Sequence, residues 1–139
     1  MTRVAFVCVR NAGRSQMATA FAERERERRG LDTEILTGGT HPADAVHGVV
    51  VEAMREEGID LADRTPREVS TAELESCDVV ATMGCSTLDL DASGVDVRDW
   101  ALDDPGEQPI GRVREIRGEV EERVVALFDE LEREAETRA

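Results

Sequence analysis

The string Cys8-Val9-Arg10-Asn11-Ala12-Gly13-Arg14-Ser15 sets a thiol, a guanidinium and a hydroxyl around a stretch rich in turn-forming residues. A cysteine thiolate is a strong nucleophile, and an arginine fork can grip two oxygens of a tetrahedral oxyanion. Spacing alone says little. With three cysteines and 17 arginines in 139 residues, a cysteine followed six positions later by arginine is close to a chance event. The setting says more. Val4-Ala5-Phe6-Val7 reads as a short buried strand, and a helix is predicted from Ser15, with Ser15 as its N-cap. Successive backbone N–H groups in a tight loop form an anion-binding nest, and the unpaired N–H groups that open a helix add to it. Gly13 permits positive φ, and Asn11 tolerates the left-handed region. The same positive field favours the Cys8 thiolate, and Ser15 could donate a hydrogen bond to it. Val9, Arg10, Asn11, Ala12, Gly13, Arg14 and Ser15 are thus the candidate oxyanion-binding residues, with Cys8 as nucleophile toward phosphate or a phosphate-like ion.

The surrounding pattern has to position that loop. The first helix is predicted over Ser15–Arg29, with Met17, Ala18, Phe21 and Ala22 as its apolar stripe, a solvated Glu-Arg end and Gly30 as terminator. Glu34–Thr37 reads as a second strand, ended by Gly38-Gly39. Ala45–Glu57 reads as a helix with Gly58 beyond its end, and Thr71–Ser76 as a short one. Asp78–Met83 is a third strand and Val95–Arg98 a fourth. The last helix runs over Pro109–Glu134, with Val113, Ile116, Val120, Val124, Leu127, Phe128 and Leu131 on one face. Strands alternating with helices imply an α/β fold, a four-stranded parallel sheet with helices on both faces, in one domain over residues 1–139. Ligands of such sheets sit beyond the carboxyl ends of the strands. The Cys8 loop, the Gly84-Cys85 turn and the Asp103-Asp104-Pro105 turn all fall at that edge.

Nucleophilic attack on an oxyanion expels an oxygen that needs a proton, so a general acid should face Cys8. Asp103 and Asp104 are the candidates. Cys77 reads as structural. His41 and His47 read as surface or capping residues, and no metal site is expected.

The stretch Phe6-Val7-Cys8-Val9-Arg10-Asn11-Ala12-Gly13-Arg14-Ser15-Gln16-Met17-Ala18 resembles the phosphate loop of low-molecular-weight protein tyrosine phosphatases and of the arsenate reductases that share their fold. Its Arg-Ser-Gln-Met-Ala ending is similar to the reductase branch. Ile59-Asp60-Leu61, Asp78–Cys85 and Trp100–Pro105 carry the resemblance across nearly the whole chain. The resemblance implies a three-layer sandwich with flavodoxin-like winding, and makes Asp104 the acid. It places Cys85 near the resolving cysteine of the reductases. No further cysteine follows within Ser86–Asp99, where three-cysteine reductases carry another. An external thiol, from thioredoxin, glutaredoxin or a small thiol, would then complete reduction, with no bound cofactor. The implied substrates are arsenate, phosphate or a phosphate ester. The main reading is arsenate reduction. The alternatives are a phosphatase working through a cysteinyl-phosphate, and a non-catalytic oxyanion-binding module. Phosphatases of this fold usually carry an aromatic residue after Asp-Pro, whereas Gly106 and Glu107 follow here.

Charge narrows the partners further. All 17 basic residues are arginine, against 31 acidic ones, for a net charge of −14. Such a surface repels nucleic acid and anionic membranes. No stretch approaches the roughly 18 apolar residues of a membrane helix, and the run after Met1-Thr2-Arg3 is too short for a signal peptide. An odd cysteine count argues against a secreted disulfide framework and for a reducing cytoplasm. Many acids without lysine suit a salt-rich one, because at about 1 M salt the Debye length shrinks to about 3 Å and self-repulsion fades. The melting temperature should therefore rise by several degrees from about 0.1 M to about 2 M KCl. A melting curve unmoved by salt would remove the halophilic reading.

Overall fold

A computed structural model describes residues 2–83 and 94–138. Four strands, β1 (Arg3–Cys8), β2 (Glu34–Gly39), β3 (Val79–Met83) and β4 (Asp96–Asp99), form one sheet in the order β2-β1-β3-β4. All three pairings are parallel, with Cys8 opposite Gly39 on one side and Met83 on the other. The helices are α1 (Arg14–Arg29), α2 (Gly48–Arg55), α3 (Thr71–Glu75) and α4 (Ile110–Arg138). The chain leaves β1 for β2 on one side and returns for β3 on the other. Cys8 therefore lies at the point where the strand order reverses, where open α/β sheets bind ligands.

Alternation along β1 explains the layers. Val4, Phe6 and Cys8 face one core with α1, α2 and α4, whereas Ala5 and Val7 face a second with Val69, Leu74 and Cys77. Helices on both faces are thus present, unequally. All seven inward residues predicted for α4 are buried. Trp100 is also buried, its ring 5.9 Å from that of Phe6, so it packs the sheet end.

Several local readings need correction. Helix α1 is not amphipathic in its first half: every residue from Arg14 to Ala22 is buried, because sheet and α4 enclose it. Its Glu-Arg end is not wholly solvated either. Glu25 is buried and accepts from Arg29 at 3.0 Å. Gly30 does end the helix, at φ 62°. Gly38 and Gly39 do not end β2 but continue it, because only glycine fits there. A Cβ on Gly38 would lie 2.5 Å from that of Val69, and one on Gly39 would lie 2.6 Å from the Val9 carbonyl. Helix α2 begins at Gly48 rather than Ala45, because His47 is extended, at φ −56° and ψ 132°, and serves as the N-cap. Strand β4 is shifted one residue, and α4 runs on to Arg138.

Ion pairs tie α4 to the rest. Arg114 and Arg117 both reach Glu56 at the end of α2, at 2.7 and 2.8 Å. Their hydrogen bonds, Arg114 first, hold the Glu56 carboxyl down from 4.5 to about 2. A depressed carboxyl stabilises the fold above its unfolded value and stops doing so as pH falls through the folded one. Wild type should therefore melt above Glu56→Gln near pH 6, with the gap closing between about pH 4.5 and about pH 2. A gap constant across that window would break the assignment.

Candidate functional site

The loop after β1 owes its shape to the segment that follows β2. The N–H groups of His41, Ala43 and His47 donate to the carbonyls of Val9, Arg10 and Ala12, at 2.8, 2.9 and 2.9 Å. In a planar trans peptide the N–H points opposite to the C=O. With those three carbonyls drawn outward, the N–H groups of Arg10, Asn11 and Gly13 turn inward. The Asn11 N–H does so visibly, donating to Cys8 Sγ at 3.2 Å. Asn11 takes φ 51°, the left-handed region expected of it.

Ser15 is not the N-cap. Gly13 holds that position, without a side-chain cap, so the first N–H groups of α1 carry no side-chain acceptor. Ser15 sits in the first turn with its Oγ 2.9 Å from Cys8 Sγ. The neighbours of Ser15 leave its hydroxyl proton uncommitted. Thr37 Oγ1 donates to the Phe6 carbonyl at 3.2 Å, so it accepts from Asn11 Nδ2 at 2.9 Å. Asn11 Nδ2 also donates to Ser15 Oγ at 2.7 Å. The Ser15 proton is then free to go to sulfur, the direction a Cys8 thiolate requires, since a thiolate has no proton to give. Sγ thus sits against the Asn11 N–H and the Ser15 hydroxyl, two groups able to donate to a thiolate.

Arg14 is 9% exposed and donates from Nη1 to the Leu102 carbonyl at 2.9 Å. Its Nη2 lies 3.9 Å from Asp104 Oδ2, so the loop that carries Asp104 closes on the Cys8 loop. Pro105 packs on Gly13, where an added Cβ would meet Pro105 Cγ at 2.8 Å. Asp104 Oδ1 accepts from the Gly106 N–H at 2.9 Å, leaving Oδ2 toward Arg14. Asp103 is paired with Arg112 instead. The structure thus gathers Cys8, Asn11, Gly13, Arg14, Ser15 and Asp104. Ala12 is buried, Val9 half-buried and Arg10 exposed. Cys85 and the Gly84-Cys85 turn lie outside the described residues. Cys77 is buried far down the sheet, beside the start of β3, and burial pushes its thiol up.

Sequence reasoning missed four residues. Thr37 and Gln16 orient Asn11, Gln16 Nε2 donating to its carbonyl and its Oδ1 at 3.1 Å each. Arg67 also donates to Asn11 Oδ1, from its backbone, at 3.1 Å. His47 holds the N-cap position of α2 but makes no side-chain cap bond there. It is half-buried, its ring beside both Gly13 and Gly106. Only the register could have flagged Thr37, a polar residue paired with Phe6 at a buried strand end. Among the described residues no group of three or more His, Cys, Asp or Glu side chains is placed to hold a metal ion. No helix among them is long and apolar enough to cross a membrane.

Comparison with known proteins follows this geometry. The family model for low molecular weight phosphotyrosine protein phosphatases matches residues 3–137. A protein of Halobacterium salinarum, provisionally named an arsenate reductase, is 74% identical over 132 residues, covering 94% of this chain and 93% of the relative. The glutaredoxin arsenate reductase of a Synechocystis species is 33% identical over 135 residues, covering 94% and 99%. The structure of a Corynebacterium glutamicum thioredoxin-dependent arsenate reductase superposes with a TM-score of 0.76 at 32% identity. It is matched over 94% of this chain and 61% of its own length.

Two substitutions probe the loop. Ser15→Ala should slow iodoacetamide alkylation of Cys8 at pH 7 by about tenfold or more, the worth of one hydrogen bond to a charged acceptor. Gly39→Ala should weaken inorganic phosphate binding, measured by calorimetry, because its Cβ collides with the Val9 carbonyl. Unchanged alkylation in Ser15→Ala would refute the assigned bond direction.

Proposed function

The chain belongs to the low molecular weight phosphotyrosine protein phosphatase family, and from that premise we propose that it is an arsenate reductase whose nucleophile is Cys8. The observation that carries the reading is the pair of donors on Cys8 Sγ, from Ser15 and the Asn11 N–H, beneath a loop of inward N–H groups. Arsenate sits in that loop with two oxygens against Arg14. The Cys8 thiolate attacks arsenic, and one arsenate oxygen leaves as water with a proton from Asp104. The loop N–H groups and Arg14 stabilise the charge that develops. A second thiol then attacks Cys8 Sγ. The sulfur–arsenic electron pair leaves with arsenic, which falls from As(V) to As(III) as arsenite, and a disulfide remains on Cys8. Two thiol sulfurs supply the two electrons.

The second thiol is Cys85 or an external one. The glutaredoxin- and thioredoxin-dependent relatives support an external protein thiol as the final reductant. Chemistry that consumes free thiols suits a reducing cytoplasm. The phosphatase reading shares the first half of this mechanism, with water in place of the second thiol. The family model favours keeping it in view, whereas the 74% identical relative and the Gly106-Glu107 pair after Pro105 favour reduction.

Arsenite formation should be assayed with thioredoxin, glutaredoxin and small thiols, beside hydrolysis of p-nitrophenyl phosphate. Arsenite should appear with at least one reductant and vanish in Cys8→Ser. Asp104→Asn should lower kcat by roughly 10²–10⁴-fold, as loss of a general acid does. Robust ester hydrolysis with no arsenite would replace the reductase reading by the phosphatase one.

A further inference from the structure

The direction of the hydrogen-bond chain onto Cys8 depends on which way the Asn11 amide faces. Its Nδ2 supplies Ser15 and Thr37, while its Oδ1 accepts from Gln16 Nε2 and from the Arg67 N–H. A flipped amide would set its NH2 against those two donors and its oxygen against Ser15. The single Ser15 proton would then turn to Asn11, and Cys8 Sγ would keep only the Asn11 N–H.

Gln16 is buried in α1, so one of the two guards is internal. The other comes from outside the loop and needs support of its own. Arg67 lies in a segment that runs beside the end of β2, where its carbonyl accepts from the Gly39 N–H at 2.9 Å. Its guanidinium donates to the Thr37 carbonyl at 2.9 Å and to Glu73 Oε2 at 2.8 Å. Glu73 is fixed in turn by the N–H and hydroxyl of Ser70, the cap of α3. The Arg67 hydrogen bond, with that of the Ser70 backbone, holds the Glu73 carboxyl below its ordinary range, so the pair stays charged at neutral pH.

We propose that Arg67, anchored by Glu73, is a positioning residue for the nucleophile: it pins the residue 67 N–H on Asn11 Oδ1 and Thr37 in register, and so keeps the Ser15 proton on Cys8. It rests on the reading of Cys8 as nucleophile but not on arsenate as substrate. The cation bridges β2 to α3, its bonds going to the Thr37 carbonyl and to Glu73. Its effect is carried through Asn11, the one residue of the loop that bonds to Cys8, Ser15 and Thr37 together. The left-handed Asn11 backbone is held only while such contacts over-determine it.

The test is the pH profile of Cys8 alkylation by iodoacetamide in wild type, Arg67→Met, Arg67→Lys and Glu73→Gln, with thermal melts on each. Arg67→Met keeps the backbone N–H but loses its anchor. Its profile should move to higher pH, with the rate at pH 7 down by about tenfold, near the worth of one hydrogen bond to a charged group. Arg67→Lys should recover most of that loss, and Glu73→Gln should move the same way by less. A profile in Arg67→Met that overlies wild type overturns the inference, as does Arg67→Lys behaving like Arg67→Met. Should Arg67→Met not fold, the half-buried Glu73→Gln decides by the same profile, and its overlying wild type overturns the inference. A wild-type Cys8 that reacts no faster at pH 7 than a free thiol would instead sink the proposed function.

Discussion

Three outward carbonyls set the terms for the rest of this molecule. Val9, Arg10 and Ala12 give their oxygens to the backbone of residues 41–47, and that exchange turns the N–H sides of those peptides inward, that of Asn11 onto Cys8 Sγ. Backbone groups in a buried loop must find partners. Here the partners come from outside, so the inner N–H groups are left for a ligand. The consequences reach some distance. Gly39 is required where the Val9 carbonyl approaches, and Gly13 is required where Pro105 closes down. Under the proposed function the loop can hold an anion because its neighbours take its carbonyls.

Electrostatics at two scales then coexist. The chain carries −14 overall, yet the pocket offers N–H groups, the start of α1 and Arg14. Most of the other arginines near the site are engaged: Arg67 with Glu73, Arg112 with Asp103 and Glu115. Arg14 is treated differently. Its partners are the Leu102 carbonyl and, at 3.9 Å, an Asp104 carboxylate that is 58% exposed. An oxyanion can therefore compete for its remaining N–H groups. The general repulsion between an acidic protein and an anion is screened by salt within a few ångströms, whereas the short-range donors of the loop are not.

The sequence was most readable where one residue's identity settles a local choice. The buried strands, the inward face of α4 and the left-handed stop at Gly30 needed only periodicity and backbone preference. So did the placing of Cys8–Ser15 between a strand and a helix. Reading failed where tertiary hydrogen bonds overrode local preference. Ser15 is a good cap by type, but its hydroxyl is taken by Asn11 and Cys8, so a glycine caps instead. Gly38-Gly39 looks like a stop, but the strand needs both because Val69 and Val9 crowd them. His47 looked like an ordinary surface residue because nothing nearby in sequence announces that Gly13 and Gly106 will flank it. Arg67 belongs to the same class: its meaning lies in Asn11, 56 positions away.

The acid loop shows how the same logic separates two adjacent carboxylates. Asp103 and Asp104 are chemically alike, and composition could not rank them. Arg112, one turn into α4, draws Asp103 aside, while the Gly106 N–H takes one oxygen of Asp104 and fixes the other toward Arg14. The turn continues through Glu107 at φ 65°. A short, sharply turned loop of that kind has a small residue beside the cleft where a phosphatase of this fold would set an aromatic wall. Among the described residues, Gly106 and Glu107 set no aromatic ring there, which under the proposed function favours access for a second sulfur. Reduction needs that access, because the second thiol must reach Cys8 Sγ itself, whereas hydrolysis needs room only for water. The first half of the reaction is written in the rigid loop, and the second in what the acid loop leaves open.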